Sequence, residues 1–187
     1  MAKKIFSVTI KNTKSVFNVI EKALSESVQD SLFNKIEKYS VTRIQQQTRL
    51  GKDLVNKGVQ PNLSKSYIKL RERVAAGKIG RVSTSKFFEP DRSNLTLSGQ
   101  LLDSVFAKTN QGAKTVTIGV SGVRKPTGLE KYFKNSKSIK TNAELAKDLE
   151  SRGRFFLGLD VMGVQQIRRF ALEEIRRRLK SRVRVTV

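Results

Sequence analysis

The segment at residues 115–120 constrains the fold of this chain more than any other. Val116, Ile118 and Val120 alternate there with smaller or polar residues. Alternation with a period of two predicts a strand that buries one face. Strongly helical patterns lie on both sides of this strand. Together they predict an α+β fold, in which long N-terminal helices and a C-terminal helix pack on a mainly antiparallel sheet.

The residues directly before this strand predict a turn and a short helix. Ser98 is a residue type that caps helices, and Gly99 allows the backbone to bend closely. Leu101, Leu102 and Val105 follow at a spacing that favours burial on one side. We therefore expect this segment to lie in the core.

The helical patterns elsewhere have apolar residues at intervals of three and four. The longest places Val28, Leu32, Ile36 and Tyr39 on one face. Ser64 and Asp160 are the expected caps of two later helices. The predicted elements are a strand at 4–10 and helices from residue 14, at 28–48, 64–76, 142–150 and 161–181.

The last six residues also alternate. Val183, Val185 and Val187 share one side of a predicted strand at 182–187. A strand at a free end is suited to pairing with the sheet edge of a neighbouring subunit. The N-terminal strand, with Phe6 and Val8, is the second predicted subunit interface.

The charge of the chain indicates an anionic partner. Lys and Arg number 38 against 16 Asp and Glu, a formal net charge of +22. Such a balance favours nucleic acid, because cations that contact phosphates release condensed counterions. The alternative is a solvated basic surface in an assembly whose other members are acidic.

Two predicted basic loop insertions, 77–94 and 121–154, carry part of the excess charge. Arg177 and Arg178, by contrast, follow Glu173 and Glu174 at the spacing of helical ion pairs. We therefore expect DNA or acidic-partner contact from the loops rather than from that helix. The predicted contact residues are Lys78, Arg81, Lys86, Arg124, Lys125, Lys131 and Lys134.

Several classes of function are disfavoured by the composition. The chain has no His and no Cys, which removes the usual nucleophile–base pairs and zinc ligand sets. We expect no enzyme activity, no catalytic residues, no cofactor and no metal. No apolar run approaches the roughly 18 residues of a membrane span, and 187 residues suit a single domain, 1–187.

Five segments in order along the chain resemble one protein family. They are Gly51-Lys-Asp, Pro61-Asn-Leu-Ser-Lys-Ser-Tyr67, Leu95-Thr-Leu-Ser-Gly-Gln-Leu101-Leu-Asp-Ser104, Val116-Thr-Ile-Gly119 and Arg154-Phe-Phe-Leu-Gly-Leu159. This order is similar to that of the virion morphogenesis, or tail-completion, proteins of the bacteriophage head–tail junction. The family usually has a His-containing stretch after the Val-x-Ile-Gly strand. Gly128-Leu-Glu-Lys-Tyr-Phe stands there instead.

The resemblance implies a structural virion protein without catalytic activity. It would form a homo-oligomeric ring, six copies being favoured over twelve, that joins connector proteins to the tail. Double-stranded DNA would pass through the lumen, and assembly would take place in the host cytoplasm.

The alternative is a free-standing, sequence-nonspecific nucleic-acid-binding protein of a ribonucleoprotein or nucleoid. Such a protein would expose aromatic rings for base stacking. The candidates are Phe87, Phe88, Phe155 and Phe156, although adjacent Phe pairs more often anchor loops to a core.

Overall fold

The computed structural model describes residues 6–10, 18, 20, 24, 26–53, 58–79, 82, 84–92, 99–113, 115–125 and 141–183. It confirms the predicted α+β fold, with two small antiparallel sheets among the helices. In chain order the elements are β1 (Phe6–Ile10), α1 (Glu26–Arg49), β2 (Lys52–Asp53), β3 (Gly58–Val59), α2 (Lys65–Ala75), α3 (Gln100–Asp103), β4 (Val105–Asn110), β5 (Thr115–Val120), α4 (Asn142–Ser151) and α5 (Val161–Val183).

The main sheet has the predicted strand at its centre. β5 lies between β1 and β4 and pairs antiparallel with both. Val116, Ile118 and Val120 are fully buried, so the alternation in the sequence correctly identified the face on which the core is built.

The long helix α1 packs on this sheet through the stripe predicted for it. Val28, Leu32 and Ile36 are buried, and α1 contacts both β4 and α5. Tyr39 is half-buried and meets Phe170 of α5 edge-on, with ring centroids 5.3 Å apart. Further core residues lie on α1 and β4, on other helices and on irregular segments: Ile20, Leu24, Phe33, Ile44, Leu101, Leu102, Val105, Ala146, Phe156, Leu157, Ile167 and Ala171.

The turn before β4 depends on Gly99. Its φ is +74°, and a Cβ there would lie 3.3 Å from side-chain atoms of Ser85 and Asp103. Glycine alone adopts this conformation without strain. Gly99, rather than the predicted Ser98, occupies the capping position of α3; Ser98 lies outside the described residues.

The prediction of a terminal strand at 182–187 is wrong for its first two residues. Helix α5 continues through Val183, because no glycine or proline interrupts the chain after Gly163 and each added residue gains a helical hydrogen bond. Val185 and Val187 lie outside the described residues.

The N-terminal strand pairs within its own chain. Phe6 lies opposite Val120 and Val8 lies opposite Ile118. Their predicted role in a subunit interface stays a prediction.

Helix α4 lies where the sequence predicted a short helix and begins with a capping box. The Thr141 hydroxyl accepts a hydrogen bond from the Glu144 N–H at 3.1 Å, and the Glu144 carboxylate accepts one from the Thr141 N–H at 3.2 Å. Together they satisfy two backbone N–H groups that the helix cannot pair internally.

Replacing Thr141 by alanine is expected to lower the free energy of unfolding by about 1 kcal/mol. For a chain of this size the melting temperature should fall by roughly 2–4 °C. Thermal unfolding followed by circular dichroism measures it. Thr141→Ser keeps the hydroxyl and serves as the control, and equal melting temperatures for the two variants would contradict a capping role.

Candidate nucleic-acid interface

Helix α2 begins at the predicted cap. The Ser64 hydroxyl accepts a hydrogen bond from the Tyr67 N–H at 3.3 Å. One side of α2 is buried in a second, smaller apolar cluster, formed by Val74 and Ile79 with Leu70, Val82 and Phe88 packed against them. This cluster fixes the helix and leaves its opposite side in solvent.

A buried arginine joins α2 to the loop that follows it. Arg71 is only 2% exposed, and its guanidinium donates a hydrogen bond to the Glu89 carbonyl. The guanidinium also lies 4.9 Å from the Phe88 ring centroid and 5.8 Å from that of Tyr67. Burial lowers the pKa of Arg71. The insertion at 77–94, predicted as an exposed loop, is thus partly packed: Ile79 and Phe88 belong to the small cluster.

The exposed side of α2 carries a row of cations. Lys65, Lys69 and Arg73 are all exposed and follow one another at intervals of four residues; we call them the α2 basic row. None of them forms an ion pair with a described residue. Glu72 is the one acidic residue of this helix. Like charges four residues apart on a helix cost a few tenths of a kcal/mol, so the row does not stabilise the helix that carries it.

Lys78 extends the row beyond the end of α2. Its backbone N–H donates to the Arg73 carbonyl at 2.9 Å, and its side chain is exposed. Lys65 and Arg73 are separated by eight residue steps, which is a rise of about 12 Å along the helix. Successive phosphates of one DNA strand advance about 3.4 Å along the duplex axis, so the row matches the length of a few phosphates.

The contact residues predicted from the sequence have different surroundings. Lys78 and Lys86 are exposed, and the Lys86 ammonium lies 5.1 Å from the Phe87 ring centroid. Lys125 is exposed, but its main chain is held by Gln100 through two hydrogen bonds of 2.7 and 3.1 Å. Arg124 is partly buried and interacts electrostatically with Tyr67. Arg81, Lys131 and Lys134 lie outside the described residues.

Arg177 and Arg178 are both ion-paired: Arg178 with Glu174, as predicted, and Arg177 with Glu174 in place of Glu173. Both contact Glu174, at 2.6 and 3.3 Å. The hydrogen bond from Arg177 holds the pKa of Glu174 below its ordinary value. The Glu173–Arg177 pair expected from the sequence is not formed, because an arginine three residues after Glu174 reaches that carboxylate equally well.

The four phenylalanines considered for base stacking mostly pack inside the protein. Phe156 is buried, and Phe88 lies in the small cluster. Phe155 is half-buried. Phe87 is 38% exposed, but the Arg49 guanidinium lies 4.0 Å from its ring centroid. In each of the two adjacent pairs, one phenylalanine packs against the rest of the protein, as expected for pairs that anchor a loop to a core.

Three of the segments that carry the family resemblance meet in the structure. Gln60 donates its backbone N–H to the Gly51 carbonyl at 2.7 Å and its amide to the Phe155 carbonyl at 2.6 Å. Arg154 donates to the Asn62 carbonyl at 3.1 Å. The segments at 51–53, 61–67 and 154–159 therefore form one contact region, which positions the start of α2.

Tyr67 lies within this region. Burial raises its pKa, while the neighbouring charges of Arg71, Arg154 and Arg124 act in the opposite direction. Arg154 is itself desolvated, which lowers its pKa.

Among the described residues, no cluster of three or more carboxylates could hold a metal ion. No described helix combines the length and the apolar character that a membrane crossing requires. Comparisons of the chain with protein-family models, with curated proteins and with solved structures found no match.

Proposed function

We propose that this protein is a structural component of the bacteriophage head–tail junction, which assembles as a ring around double-stranded DNA and joins connector to tail. Five sequence segments in the order typical of tail-completion proteins support the proposal. Three of these segments also lie in contact in the fold, through Gln60 and Arg154.

The observation that carries the DNA-binding part is the α2 basic row. Its three side chains are exposed and without ion pairs among the described residues, on a helix fixed by the packing of Val74 and Arg71. Cations on a helix whose backbone is already fixed contact phosphates with less loss of backbone entropy than cations on a mobile loop. We therefore place the main phosphate contacts on α2 and the exposed Lys78.

Contacts of this kind recognise the backbone and carry no sequence information. A channel protein needs that property, because the DNA that passes it has no fixed sequence. The net charge also favours an anionic partner for the assembly. Six copies would carry +132, six times +22, and such an assembly requires DNA, acidic neighbours or counterions to offset its self-repulsion.

A free-standing nucleic-acid-binding protein would share the basic surface but not the ring. Of the four phenylalanines such a protein would use for stacking, Phe87 has the largest exposed surface, and Arg49 lies against its ring. Oligomeric state therefore separates the two proposals better than DNA binding does.

Sedimentation equilibrium of the purified chain, with and without a short DNA duplex, tests the proposal. Six copies of the 21.1 kDa chain have a mass of about 127 kDa. We expect the six-copy species, either for the protein alone or after DNA is added. We also expect the protein to bind duplexes of unrelated sequence with equal affinity. A monomer at all concentrations, with or without DNA, would favour the free-standing protein. A strong sequence preference would contradict backbone recognition.

A further inference from the structure

The outward side of α5 exposes large apolar side chains. Val161 is 53% exposed, Met162 63% and Leu172 49%. Val161 and Leu172 are eleven residues apart, which is about three helical turns, so they lie on one line along the helix. The opposite side of α5 already packs in the core through Ile167 and Ala171. About half of the surface of Val161 and of Leu172 is left uncovered by the described part of the chain.

Cations occupy the positions between and beside these apolar residues. Arg168 and Arg176 are exposed, lie within the same arc of the helix as Leu172, and form no ion pair with a described residue. An open groove of about 360 Å³ runs along this side. It is lined by Gln165, Arg168, Arg169, Leu172, Glu173 and Arg176. We call this surface the α5 outer face.

We infer that the α5 outer face docks an acidic amphipathic helix of a partner protein. Aliphatic side chains of that helix would cover Val161 and Leu172, and its carboxylates would pair with Arg168 and Arg176. Helices commonly bind in this way, with apolar anchors at helical spacing and charges at the rim. The exposed aliphatic side chains of α5 match the apolar anchors of such a helix, and the exposed arginines match its carboxylates.

The same combination fits other occupants less well. A phosphate backbone contacts arginine but does not bury a leucine or a valine. Among the described residues with large exposed apolar side chains, none belongs to α2. A second copy of this face would bring three arginines against three, with Glu173 the one acidic residue that lines each groove, and like charges across an interface cost affinity. This inference is independent of the ring and DNA proposal and adds a protein-binding surface to it.

A designed peptide provides the probe. It is a fluorescein-labelled helix with Leu at positions i, i+4, i+7 and i+11 and Glu on the remaining exposed positions. Its scrambled form has the same composition. We expect the designed peptide to bind the full chain more tightly than the scrambled one in fluorescence anisotropy. Leu172→Ser, which leaves the charge unchanged, should weaken binding at least about fivefold, and Arg168→Gln with Arg176→Gln about fivefold to tenfold.

Val123→Ser is the matched control, because Val123 is 80% exposed and lies outside α5. It should bind the peptide as the unmodified chain does, and so should a variant with the α2 basic row neutralised. Equal binding by Leu172→Ser and Val123→Ser would overturn the inference. So would a loss of DNA affinity in Leu172→Ser as large as its loss of peptide affinity, or self-association that disappears in Leu172→Ser. Circular dichroism of each variant confirms that the helix is intact.

Discussion

Replacing Lys65, Lys69 and Arg73 together by glutamine is expected to weaken duplex DNA binding by about two orders of magnitude at low salt. The plot of log affinity against log salt should become shallower by nearly three units, because each lost phosphate contact removes about 0.9. Glutamine is polar and has a helix propensity close to that of lysine and arginine, and none of the three positions is buried. Fluorescence anisotropy with a labelled duplex over a series of salt concentrations measures both quantities.

The matched control removes the same charge from other elements. Lys52, Lys108 and Lys147 are exposed and lie on β2, β4 and α4. Their triple glutamine variant has the same net charge as the α2 variant and should lose far less affinity. If both triple variants show the same change in slope, the charge acts as a diffuse field and α2 is not the contact surface.

Loss of the Asp160 carboxylate is expected to be the most destabilising single change among the polar contacts that join the helices. Asp160 Oδ1 accepts the Gly163 N–H at 2.9 Å, which caps α5, and Oδ2 lies 2.7 Å from Arg43 Nη2 on α1. Asp160→Ala removes the cap and leaves a largely buried guanidinium unpaired. We expect the free energy of unfolding to fall by about 2–3 kcal/mol, measured by urea denaturation.

Two further variants separate the two roles of Asp160. Asp160→Asn keeps a capping oxygen but removes the charge, so it should recover part of the loss. Arg43→Met removes the guanidinium, and in that background Asp160→Asn should cost little more. Equal stability of Asp160→Ala and the unmodified chain would show that neither contact stabilises the fold.

The same carboxylate gives stability a pH dependence with a defined sign. Burial alone raises the pKa of Asp160, but the hydrogen bonds from Arg43 and from the Gly163 N–H outweigh it and hold the pKa below its ordinary value. The stabilisation is therefore present above the pKa of the unfolded chain and is lost as pH falls through that of the folded chain. In Asp160→Asn this part of the acid dependence should be absent.

The parts of the fold that the sequence predicted are those with a strong local signal. The alternation of β5, the apolar stripe of α1 and the caps Ser64 and Asp160 can each be recognised from a few neighbouring residues. Strand β4 has no such signal. Phe106 and Ala107 are adjacent and both half-buried, so its strand conformation depends on pairing with β5 rather than on its own pattern.

The site was predictable only in part, because it depends on tertiary packing. Arg71 gives no sequence signal of burial, and its environment comes from the Glu89 carbonyl and the Phe88 ring, far along the chain. The spacing of Lys65, Lys69 and Arg73 is visible in the sequence. The spacing does not indicate exposure, because which side of α2 faces solvent depends on the small cluster around Val74 and Ile79. The exposure of Leu172 and Val161 also depends on tertiary packing, and the spacing of residues in α5 does not indicate it.

Electron microscopy of the purified full chain with short duplex DNA tests the central claim most directly. If the protein encircles DNA, averaged particles should show a closed ring, with sixfold symmetry favoured, and the duplex density should pass through its central channel. Neutralising the α2 basic row should then leave rings whose channel lacks DNA. Particles of monomer size, or chains bound side by side along the outside of the duplex, would contradict the account.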